Sequence, residues 1–95
     1  MQNIMHCNKE AIDTYMYLSK NIERSNHVFL SEPKTIFATN FMIVTKKGTK
    51  MSIAHPIDTY GELESILYDA SGVLDHDSLV YHYDREALMQ YILQN

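Results

Sequence analysis

Five histidines, one cysteine and a run of carboxylates are the residues of this chain whose types could do chemistry. Asp75-His76-Asp77, followed by His82 and Asp84, mixes imidazole with carboxylate, a donor set that suits zinc or manganese. No spacing among them matches a closed zinc site, and the adjacent His6 and Cys7 have poor geometry for joint chelation. On a strand His82 faces away from Tyr81 and Tyr83, so the cluster reads as an acidic turn followed by a surface histidine. Cys7 lies in a segment, residues 1–7, that we expect to be loosely held, and a reactive thiol needs an organised, positive environment. There is no glycine-rich phosphate loop, no nucleophile elbow and no metalloprotease helix. The expectation is a protein without catalytic residues, metal or cofactor.

Charge is the stronger signal. Residues 1–50 hold seven basic groups and four acids, whereas residues 51–95 hold one base, Arg85, and eight acids. The halves therefore carry +3 and −7 of a net charge of −4. Carboxylates spread over a surface engage a basic patch on another protein, raising the association rate in a salt-dependent way. The residues expected to do this are Glu62, Glu64, Tyr68, Asp69, Asp75 and Asp77. The structural alternative is that several of these acids only solvate helix faces or helix starts. A contrary site is the hairpin tip bearing Lys46, Lys47 and Lys50, which would suit phosphates. The negative net charge argues against nucleic acid as the partner.

These groups must be positioned by a single domain spanning residues 1–95, with one modest core built from 45% hydrophobic residues. The lone cysteine forbids an internal disulfide. The N-terminal residues lack the pattern of a signal peptide, and no run is apolar enough to span a membrane. Both point to a cytoplasmic protein. Ile, Lys, Asn, Tyr and Phe make up 31 of 95 residues, a bias toward A/T-rich codons that fits a phage or mobile-element source.

Periodicity predicts a helix capped by Asn8 with Ala11, Ile12, Tyr15, Leu18 and Ile22 inward and Tyr17 on its polar side. Strands follow at 27–30, 35–46 and 50–55, the second long, apolar on both faces and expected to be central. Thr59-x-x-Glu62 matches a capping box and predicts a helix over 59–70 ending at Ser71-Gly72. A last strand at 79–83 leads to a helix capped by Asp84, apolar on two sides, with Met89 and Leu93 opposite Leu88 and Ile92.

Over residues 9–70 the order α-β-β-β-α resembles that of double-stranded RNA-binding domains. Those domains carry a lysine cluster at the start of their second helix; here that helix opens Thr59-Tyr60-Gly61-Glu62 and is acidic.

The fold expected is α+β, a mainly antiparallel sheet of three to four strands in the order α-β-β-β-α-β-α. The core expected is Ile12, Tyr15, Leu18, Ile22, Phe29, Phe37, Phe41, Ile43, Ile53, Leu63, Ile66, Leu67, Leu88 and Ile92. The function expected is that of a small binding protein, an inhibitor or adaptor acting on a partly basic protein. The second reading is a homodimer whose seam is Met89 and Leu93.

Overall fold

The structure, a computed structural model, describes residues 4–33, 38–59 and 62–95. Helix α1 (Ile4–Asn21) is followed by strands β1 (Phe29–Ser31), β2 (Asn40–Val44), β3 (Lys50–Ala54), β4 (Glu64–Tyr68) and β5 (Leu74–Tyr81), then helix α2 (Arg85–Gln94). Short 3-10 turns lie at Arg24–Asn26 and Ile57–Thr59. The strands form one antiparallel meander in chain order, each paired with the next.

The α+β class is as expected, but the sheet has five strands and the element order is α-β-β-β-β-β-α. The expected helix over 59–70 is the difference. Leu63, Ile66, Leu67 and Ala70 fit a helical stripe, yet the same segment also fits a period of two. Leu63, Ser65 and Leu67 turn toward the helices, and Glu64, Ile66 and Tyr68 turn away. Pairing with β3 on one side and β5 on the other decides for the strand. Without that helix, the likeness in element order to double-stranded RNA-binding domains no longer holds. Tyr60 and Gly61 of the expected capping box, and Ile36 and Phe37 of the expected long strand, lie outside the described residues. The centre of the sheet is β3, with β2 beside it.

The β2–β3 and β4–β5 turns use glycine where φ is positive, Gly48 at 84° and Gly72 at 85°. Asp84 caps α2 as expected, accepting from the Ala87 backbone N–H at 2.8 Å. Asn8 does not cap α1, which already begins at Ile4; its side-chain amide donates instead to the Ala38 carbonyl at 2.7 Å. Cys7, expected in a loose segment, is fully buried on that helix.

One core cluster joins Leu18 of α1, Phe41, Ile43, Met51, Ile53 and Leu63 of the sheet region, and Leu88 and Ile92 of α2. The Tyr15 ring meets Phe41 edge-on, with centroids 5.7 Å apart. Two expected core residues, Ile12 and Phe29, are exposed. Phe29 misses the core because Leu30, not Phe29, pairs with inward-facing Ile43; the register puts Phe29 beside Val44 on the other face. Ile66 is likewise turned outward, opposite Ser52.

Both helices therefore cover the same side of the sheet, and three cross-strand rows make up the other side. The first runs Phe29, Val44, Lys50 and on through Tyr68 to Leu74. The second is Ser31, Met42, Ser52 and Ile66. The third is Asn40, Ala54, Glu64 and Tyr81. Between Ser65 and Leu67, β5 carries three more residues than β4, a bulge over 76–79 that Ser78 steadies by accepting from the Leu67 N–H at 2.8 Å. No described helix is long and apolar enough to cross a membrane.

Candidate functional site

The chemistry-bearing residues converge where α1, the start of α2 and the ends of β3 to β5 meet. They line a cleft of about 890 Å³. α1 supplies Glu10 and Tyr17; the α2 start supplies Asp84, Arg85 and Glu86. The end of β5 and the residues after it supply Tyr81, His82 and Tyr83, while His55, Glu62 and Leu63 complete the lining.

A polar chain ties the walls together. The Arg85 Nη2 group donates to Glu10 Oε2 at 2.9 Å, and its Nε–H donates to Thr14 Oγ1 at 2.9 Å. The same hydroxyl lies 2.8 Å from His55 Nε2. Three elements distant in sequence, α1, the residue after β3 and the first residue of α2, thus share one network. Thr14 and His55 are buried, so this bonding satisfies groups that would otherwise cost free energy.

A second hydroxyl–imidazole pair, Ser65 Oγ and His82 Nε2, also stands at 2.8 Å. His82 packs on the Tyr91 ring at 5.1 Å, and burial holds its pKa below the usual histidine value. Both pairs have the separation a nucleophile and its base require. In both, the hydroxyl is buried, with Thr14 at 0% and Ser65 at 1% exposure. The pairs fix the orientation of the two rings. His82, expected as a surface histidine, is half-buried for this reason.

The cleft presents four carboxylates, Glu10, Glu62, Asp84 and Glu86, against one guanidinium that Glu10 already pairs. Tyr17 forms part of one wall, and Tyr83, 96% exposed, stands at the mouth. Tyr17 was expected on a polar, outward side; it packs half-buried against the core and borders the cleft.

The expected contact residues are divided. Glu62 lines the cleft and Glu64 lies beside it on the open sheet face, nearly buried. Burial, and the neighbouring charges of Asp58 and Glu62, raise the Glu64 pKa above its ordinary value, which places three carboxylates together at one end of β4. Asp69 lies past the other end of the strand, some ~17 Å away at ~3.3 Å per residue. There it accepts from Ser71 N–H and Oγ and from Val73 N–H, contacts that hold its pKa low and close the β4–β5 turn. Tyr68 lies under Lys50 Nζ, 5.5 Å from the ring centre. Asp75 accepts from the Asp77 N–H at 3.1 Å as the bulge begins. Among the described residues, no three His, Cys, Asp or Glu side chains group closely enough to hold a metal ion.

The proposed dimer seam also finds other contacts, since Met89 packs against the core and Leu93 is half-buried. At the lysine hairpin, Lys47 Nζ donates to the Gln94 carbonyl at 3.3 Å, at the negative end of α2. Nothing in the sequence joined Thr14 to His55 and Arg85, or Ser65 to His82, partners 41, 71 and 17 residues apart. Asp84 drew notice as a cap and as a member of the Asp/His cluster, and Arg85 as the lone base of the acidic half. Comparison with protein-family models, with characterised proteins and with solved structures yields no match, so the reading of this cleft rests on its geometry.

Proposed function

We propose that the protein is a small binding protein without catalytic activity, an inhibitor or adaptor, that takes a lysine or arginine side chain of a partly basic protein partner into the cleft. The observation that carries this reading is the imbalance of four carboxylates to one already paired guanidinium, beside tyrosine rings at the wall and mouth. Carboxylates supply the countercharge to a cationic head, and a tyrosine face adds a cation–π attraction of about 0.5–1 kcal/mol at an exposed site. The Glu10–Arg85–Thr14–His55 network keeps the two helices fixed, so the pocket is formed before the ligand arrives.

Ethylguanidinium and a short arginine-rich peptide serve as probes, titrated while the tyrosine and backbone resonances are followed by NMR. The reading expects shifts at Tyr17, Tyr83 and Glu62 that fade with salt, and about tenfold weaker peptide binding after E62Q with E86Q. Equal weakening by D75N with D77N, outside the cleft, or no shift at low salt, overturns it.

A further inference from the structure

The sheet face opposite the helices is a second surface, which adjoins the cleft at Tyr81. Met42, Val44 and Ile66 are half-exposed on it and Phe29 is at 59% exposure, with the nearly buried Ser52 between Met42 and Ile66. The charged members of its three rows are Lys50 and Glu64, which lie in opposite end rows. Beyond Lys50 lie Lys46 and Lys47; beside the nearly buried Glu64 lie Asp58 and Glu62, with His76 also near it. The face therefore has a basic end and an acidic end about 13 Å apart along the strands.

We propose that a second copy of this chain packs on this face, sheet against sheet, related by a two-fold axis that runs across the strands. That rotation reverses strand direction, so the Lys50 row of each copy lies over the Glu64 row of the other. The contact is self-complementary and occurs twice by symmetry. Sheets stacked in this way sit ~10 Å apart with interdigitating side chains, which suits the half-exposed Met42, Val44 and Ile66. Charge complementarity selects a second copy as the occupant: a uniformly basic or acidic partner would meet like charge at one end of the face. Five strands at ~4.8 Å and five residues at ~3.3 Å span roughly 24 by 16 Å, a small contact, so the association is weak and concentration-dependent.

The test is solution mass by light scattering, from about 10 to about 500 micromolar chain, with folding checked by circular dichroism. The wild type is expected to move from one chain mass toward two. V44E abolishes the shift while leaving the spectrum unchanged. K50E and E64K each weaken dimerisation about tenfold, and the swap K50E with E64K recovers most of the loss. A wild type that stays monomeric throughout overturns the proposal. So does a dimer indifferent to V44E, or a swap weaker than both single variants.

Discussion

Replacing Thr14 by valine tests whether the polar network holds the helices to the sheet. Valine matches threonine in shape, so the change removes a hydroxyl and little else. That hydroxyl accepts from Arg85 Nε at 2.9 Å and bonds His55 Nε2 at 2.8 Å. His55 is 4% exposed, and losing a partner on a buried polar atom costs about 1–3 kcal/mol. The Arg85 side chain is 34% exposed, so water replaces its lost contact and its share is smaller. The expected loss is therefore about 2–3 kcal/mol, a large part of the ~5–15 kcal/mol that holds a small domain. At ~4–8 °C per kcal/mol for a chain of this size, Tm falls by roughly 10–20 °C. Urea and thermal denaturation of T14V and T14S measure it. Serine keeps the hydroxyl and gives up one methyl, costing about 1 kcal/mol. If T14V proves as stable as T14S or more so, the network contributes nothing net and the reasoning fails.

Three further outcomes follow from the same contacts. Burial and the Asp58 and Glu62 charges raise the Glu64 pKa above 4.5, so the stability it contributes is present below that value and is lost as pH rises through the folded value. E64Q should therefore melt higher than wild type at neutral pH, with the gap closing near about pH 4 in melts across a pH series. His82 shifts the other way: its folded pKa lies below 6.5, so the unfolded chain takes the proton first, and stability present above 6.5 is lost as pH falls through the folded value. H82Q should flatten the decline seen between neutral and mildly acidic pH in urea midpoints; an unchanged slope would assign the decline to other groups. Leu88 is fully buried between α2 and the sheet, and L88A should cost about 2–5 kcal/mol in denaturant titration, with less than 1 kcal/mol counting against the core as described.

The α+β class, α2 with its Asp84 cap, and the pairing of β2 with β3 across the Gly48 turn were all legible in the chain, because each rests on contacts close in sequence. Residues 64–68 were not, since their apolar spacing fits two periods at once. The choice lies with hydrogen bonds to β3 and β5 that local pattern does not contain. Glu62 and Glu64, expected on opposite rims of a helix, lie near each other at the start of β4, while Asp69 and Asp75 serve a turn and a bulge. The sequence by itself determined the charge division, the Asp84 cap of α2 and which segments carry apolar residues, all properties of residue type and short spacing. Only the tertiary structure decided that Thr14, His55 and Arg85 meet, that Phe29 faces outward and that α1 and α2 pack on the same side of the sheet. Those outcomes depend on strand register and on which side both helices pack, and a one-residue slip in register would reverse every one of the inward and outward faces.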